Sequence, residues 1–193
     1  MRTLAIFAAG TVAAAALIAT ATPALAATSQ ASTPAAVSGM SHSPSVITPS
    51  VISANEKTAF DYFVGKGLTK KQAAGIVGNL DQESGMDPTI KQYGGGPGRG
   101  IAQWSVGGRW DTSSINEVDY TNNTLGVSRY NLDGQLKFIW KEFTSEGYGF
   151  TALKATTTID SATTTFESKY EICGDCNTAA RESFANAAYN KYA

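Results

Sequence analysis

Charge is spread so unevenly along this chain that only part of it can build a conventional domain. Arg2 is the only Lys, Arg, Asp or Glu between Met1 and Asn55, whereas all 16 acids and the other 14 Lys and Arg lie from Glu56 onward. One domain of roughly 140 residues fits there, long enough to bury about two thirds of its unfolded-chain surface. Its charge is close to neutral, so there is no basic excess to neutralise phosphates, and nucleic acid is not expected as a partner. The sole histidine, His42, falls in the uncharged stretch. That removes Ser-His-Asp and Cys-His hydrolases, HExxH zinc enzymes and most zinc sites from the folding region. No metal or cofactor is expected, and any chemistry must be done by carboxylates.

The uncharged stretch divides in two. Arg2, an apolar run from Leu4 to Ala19 and the small residues Ala24-Leu25-Ala26 have the layout of a secretory signal peptide over residues 1–26. A membrane anchor is the alternative, but about 16 apolar residues fall short of the ~20 needed to span. No membrane contact is expected after cleavage, and the product is expected to be secreted or associated with a cell wall. Residues 27–52 contain 17 Ala, Ser, Thr or Pro in 26. They offer too little apolar surface to offset ordering entropy and read as a flexible linker, or as a pro-segment that is removed. His42 is expected to be inert there.

Residues 53–193 read as mostly α-helical, with little or no β-sheet. Ser53 to Glu56 has a capping-box pattern, and Ala59, Phe60, Phe63 and Val64 recur at helical spacing until Gly67. Thr69 to Gln72 repeats the signature. Ala73, Ile76, Val77 and Leu80 then form the stripe of a second helix, with Gly85 and Pro88 past its end. Leu136, Ile139, Trp140 and Phe143 mark a third helix, with Trp140 expected in the core. A fourth is expected over Ile159 to Tyr170 and a last over Ala179 to Tyr192. Between Pro88 and Asn131 no strong period appears, and short strand pieces near Gly100 to Trp104 are the one exception.

That irregular middle includes seven glycines among the 15 residues from Gly94 to Gly108. Loops of this length inside a domain are usually functional, and glycine permits close backbone approach to a ligand. A phosphate cradle does not fit, because the Lys-Ser/Thr of a P-loop is missing and no helix follows. Cys173 and Cys176 form a Cys-x-x-Cys pair whose options are a disulfide, a redox centre or half a zinc site. Zinc lacks its other ligands, no thioredoxin-like pattern surrounds the pair, and export favours a formed bond pinning the turn before the last helix.

One carboxylate stands out. Glu83 lies seven residues after Ile76 and three after Leu80, at the edge of the second helix's apolar stripe and in its last turn. Partial desolvation and the negative end of the helix dipole both disfavour its ionised form, the condition a general acid needs near neutral pH. A solvated Glu near a helix end is the plainer alternative.

Gly78-Asn79-Leu80-Asp81-Gln82-Glu83-Ser84-Gly85-Met86-Asp87-Pro88, followed by Gly100-Ile101-Ala102-Gln103-Trp104, resembles the phage tail lysozyme family. That family belongs to the lysozyme superfamily, with goose-type lysozymes and lytic transglycosylases. Gln135-Leu136-Lys137-Phe138-Ile139-Trp140-Lys141-Glu142, the pair Tyr170-Glu171 and Arg181 extend the likeness in order from about Asn55 to Ala193. The resemblance implies a lysozyme-like helical fold and cleavage of β-1,4 bonds between the amino sugars of peptidoglycan strands. Glu83 would be the acid that protonates the leaving oxygen, and the Gln103 region would line the sugar groove.

The expected sugar contacts are Gln103, Trp104, Tyr93, Gly100 and Ser84, with Trp110, Tyr120 and Tyr130 as further aromatics that could equally be loop packing. Glycoside hydrolysis normally uses a second carboxylate. Asp111 and Glu142 are the main candidates, followed by Asp87, Glu117 and Asp119. Glu142 also reads as an acid on the exposed side of its helix. Transglycosylases in the superfamily manage with one acid, so the reaction's outcome stays open between muramidase and transglycosylase. The chain departs from the family pattern in two places. Asp111 to Leu125 is polar where a helix is expected, and Cys173-Gly174-Asp175-Cys176 replaces a Pro-containing turn. The rival expectation is a non-catalytic module that grips wall glycan on the same fold; a structural or toxin-like surface protein rests on export alone.

Overall fold

The computed structural model describes residues 49–193 apart from Glu146 and Asp175. The expected signal peptide and residues 27–48 of the expected linker, His42 included, lie outside the described residues. Among these there are seven α-helices and a two-stranded antiparallel sheet. None of the helices is long and apolar enough to cross a membrane.

Helix α1 spans Pro49–Gly65. It starts four residues before the expected cap at Ser53, on a proline, which suits a first helical turn because its missing N–H would have no partner there. Residues 49–52 therefore belong to this helix and not to the linker. Ser53 caps nothing: its hydroxyl accepts from Lys191 Nζ at 2.6 Å, tying α1 to the far end of the chain.

Helix α2, Lys70–Ser84, is the axis of the domain, with every residue from Gln72 to Leu80 buried. Its start matches the expected capping box. The Thr69 hydroxyl accepts from the Gln72 N–H, and the Gln72 side chain accepts from the Thr69 N–H. Gly85 ends it in the left-handed region at φ 57°. Two glycines let other helices close on α2. A Cβ on Gly75 would lie 2.7 Å from Thr163 N, on helix α6 (Ile159–Phe166). One on Gly78 would lie 2.5 Å from Arg181 O, on helix α7 (Thr178–Tyr192).

Helix α4, Leu132–Ser145, buries Leu136, Phe138, Ile139 and Phe143, as the stripe predicts. Trp140 is only partly buried and sits edge-on to Phe150 of the short helix α5, Phe150–Lys154. In the middle of the chain, β1 (Gly98–Arg99) pairs with β2 (Trp104–Ser105) and brackets the heart of the glycine loop. The polar stretch after it is not wholly irregular. Asn116 caps helix α3, Glu117–Asp119, by accepting from the Asp119 N–H, and a wider helical turn, Tyr120–Leu125, continues it. This element has no apolar stripe to betray it, since Asn116, Glu117 and Thr121 are its buried residues.

Helix α6 passes into a second widened turn, Glu167–Glu171, closed by Ile172 N–H donating to Glu167 O at 3.0 Å. One extra residue in a helical turn changes which side chains face inward. Here Tyr170 enters the core and Glu171 is presented to a cavity beside it.

Candidate active site

The cavity that holds Glu83 has a volume of about 540 Å³ and lies between the end of α2, the glycine loop and the turn before α7. Glu83 forms one wall. Gln92, Pro97, Gly98 and Gln103 come from the loop, and Glu171, Cys173 and Gly174 from the opposite side. An adjoining cavity of about 270 Å³ shares Ala102, Gln103, Ser105 and Glu171 and adds Trp104, Arg109, Tyr148 and Ile172. The two form a polar groove with Gln103 and Glu171 at their junction. A separate cavity of about 290 Å³, lined by Asp119, Tyr120 and Lys141 among others, contains none of the motif acids.

Glu83 is 20% exposed and its Oε1 accepts from Arg181 Nη2 at 2.5 Å. Arg181 is held on its other edges. Its Nε donates to Cys176 O at 2.7 Å and its Nη1 to Asn79 Oδ1 at 3.0 Å. Asn79 is fully buried and donates to Gly75 O and Thr163 O. The Gly-Asn-x-x-x-Glu segment is thus a frame: Gly78 admits α7, Asn79 orients the arginine, and the arginine fixes the carboxylate.

The glycine loop is latched in a similar way. Ser84 Oγ donates within reach of Leu80 O and Ile101 O and accepts from the Met86 N–H. Gln135 of α4 accepts from the Ile101 N–H and donates to Pro88 O and Arg129 O. Gly100, at φ 66°, packs on that amide, where a Cβ would come within 2.8 Å. Gln103 takes a left-handed conformation at φ 45° and donates to Gly100 O, leaving its side chain on the cavity wall.

Beneath the groove lies a buried polar cluster. Glu142 is 2% exposed, which corrects the expectation of an outward-facing acid. Its carboxylate accepts from Arg109 Nε (2.8 Å) and Nη2 (2.7 Å), Tyr170 Oη (2.6 Å) and Trp104 Nε1 (3.2 Å). Three of these donors meet on Oε2 and Arg109 Nε alone on Oε1, so Glu142 is placed as the anchor of the groove floor, and it lines neither cavity.

Trp104, 2% exposed and stacked with Trp110, lines the adjoining cavity as part of its floor and offers no open face to sugar. Several other expected site residues lie elsewhere. Tyr93 is fully exposed at the loop tip, and Ser84 and Gly100 are internal latches. Asp111 stands in solvent, where hydrogen bonds from the Gly107 N–H and Thr112 hydroxyl hold its carboxyl below the usual range. Asp87 accepts from the Thr89 N–H and hydroxyl, and Asp119 from Asn116 and Asn123. Glu117 is buried with both oxygens unpartnered, and burial pushes it up to about 8 against the pull of Thr121 and Arg129. None of these acids lines the groove. Trp110, Tyr120 and Tyr130 pack on other aromatic rings.

Cys173 and Cys176 form a disulfide, with Cα atoms 5.2 Å apart, at the edge of the Glu83 cavity. Glu167 approaches both sulfurs, but bonded to each other they offer no thiolate to a metal.

The model of the phage tail lysozyme family matches residues 54–192. The chain belongs to the phage tail lysozyme family. Membership implies a lysozyme-like hydrolase activity on peptidoglycan, and the matched span takes in all seven helices except the first turn of α1 and the last residue of the chain. Within this phage tail lysozyme fold, sequence reasoning overlooked Glu171 as a groove carboxylate. The signal was present in the Tyr170-Glu171 pair, but a plain helix through that point would not show which of the two faces the groove.

Proposed function

We propose that the chain is a secreted or wall-associated peptidoglycan-cleaving enzyme that breaks β-1,4 bonds between amino sugars, with Glu83 as general acid. The observation that carries the reading is Glu83 in the wall of a polar groove, with its carboxylate fixed by Arg181. A glycan strand lying along the groove would place a glycosidic oxygen against Glu83 and its sugar hydroxyls against Gln103. Glu83 gives its proton to the leaving oxygen as the C1–O bond breaks, and Arg181 steadies the carboxylate left behind. Pre-positioned charge of this kind costs no reorganisation at the moment of reaction.

Digestion of purified wall by the whole protein, followed by mass spectrometry, tests the reading. New reducing ends mean hydrolysis and anhydro-sugars mean transglycosylation. Tight binding without either product would mean a glycan-gripping module. A Glu83→Gln variant is expected to stay folded and lose activity by a factor of about 10² to 10⁴; near-normal turnover would remove Glu83 from the role.

A further inference from the structure

Glu83 is committed to Arg181 as an ion pair, so a proton destined for the leaving oxygen has to be kept somewhere else. Glu171 stands in the same cavity. Its Oε1 is buried with no hydrogen-bond partner among the described residues, and the widened turn that carries it puts its neighbour Tyr170 into the core. A buried carboxylate oxygen without a donor is costly as an anion and tolerable as an acid.

Resting on the reading of Glu83 above, we infer that Glu171 is the second acid–base residue of the site: it stores the proton ahead of glycan binding, hands it to Glu83 when glycan binds, and recovers one from the attacking hydroxyl. The cycle balances. The stored proton ends on the leaving oxygen as C1–O breaks. The incoming hydroxyl forms a bond to C1 and releases its own proton to the now ionised Glu171. That hydroxyl comes from water in hydrolysis and from the sugar itself in transglycosylation, and the proton count is the same in both.

The surroundings of Glu171 support the storage role. Burial comes first and the Glu83 charge on α2 second in raising its carboxyl well above the usual range. Arg109 of the loop and Arg181 of α7 pull it down, and Glu142 of α4 adds to the rise.

The test uses the whole protein on purified wall. Glu171→Gln is expected to lower kcat by about 10²-fold or more with KM little changed, and Glu171→Ala to regain turnover when formate is added. A packing role would move stability and KM and gain nothing from formate. If Glu171→Gln matches wild type while Glu83→Gln is dead, this proposal falls and the Glu83 reading stands. If both variants remain active, both fall.

Should the Glu171 variants fail to fold, carbon-13 glutamate NMR replaces them. Glu171 is expected to titrate above the common glutamates in the wild type and to move down in Glu83→Gln, with Glu117 outside the groove as an unmoved control. The absence of any high-titrating glutamate sensitive to Glu83→Gln overturns the proposal.

Discussion

Replacing Glu142 by Gln tests whether the groove floor is held by charge. Four donors converge on its two oxygens: Arg109 Nε and Nη2, Tyr170 Oη and Trp104 Nε1. An amide keeps one acceptor oxygen: standing in for Oε2 it leaves only Arg109 Nε facing an N–H group, and standing in for Oε1 it strands the other three donors, so in either orientation Arg109 loses at least one acceptor. Removing one member of a buried ion pair typically costs 3–5 kcal/mol. Arg109 is 24% exposed and water can meet part of its need, which puts the expected loss near the low end, about 3 kcal/mol. For a domain of this size that is a fall in Tm of roughly 6–12 °C. Circular-dichroism melts read the stability, and wall digestion well below the lowered Tm reads the chemistry. Turnover should survive there, because Glu142 lines neither cavity. A Tm within about 2 °C of wild type would show that the network carries little. A normal Tm with lost turnover would show that Glu142 reacts with substrate, contrary to its placement.

Three other outcomes are expected. Burial pushes the Glu117 carboxyl up to about 8 in the folded protein from its ordinary value of 4.5, so the unfolded chain loses the proton first and stability falls as pH rises from about 4.5 through about 8. Glu117→Gln should therefore gain roughly 3 kcal/mol more at pH 8 than at pH 5, and equal Tm shifts at the two pH values would contradict this. Removing the disulfide with Cys173→Ser and Cys176→Ser should cost about 2 kcal/mol in denaturant titration. It should also slow wall digestion, since Cys176 O anchors Arg181 Nε; an unchanged rate would separate the turn from the site. Gly78→Ala forces a Cβ against the backbone of α7 and should destabilise by roughly 1–3 kcal/mol, whereas a raised Tm would mean that α7 yields easily.

The helices that carry the core were readable wherever an apolar stripe met a capping signal, as in α2 with Thr69, Gln72 and Gly85. They were not readable where the stripe was absent. Glu117 to Leu125 is held by Asn116 and by side-chain hydrogen bonds, which leave no hydropathy pattern. Glu83 could be singled out because its position follows from counting along one helix. Glu142 was misread as outward-facing because its three partners, Arg109, Trp104 and Tyr170, come from segments 28 to 38 residues away. The depth of Trp104, which lines the adjoining cavity from its floor, was hidden for the same reason. Sequence shows that an aromatic follows Gln103, but not that Glu142 waits beneath it to bind the indole N–H.

Arg181 lies 98 residues beyond the acid it holds, on α7, which is made after every other element described. Until α7 docks against Gly78, Glu83 has neither its cation nor one side of its wall. A half-assembled chain is therefore an idle one, and the onset of lytic activity during refolding should report the final docking step rather than the earlier collapse of the other helices.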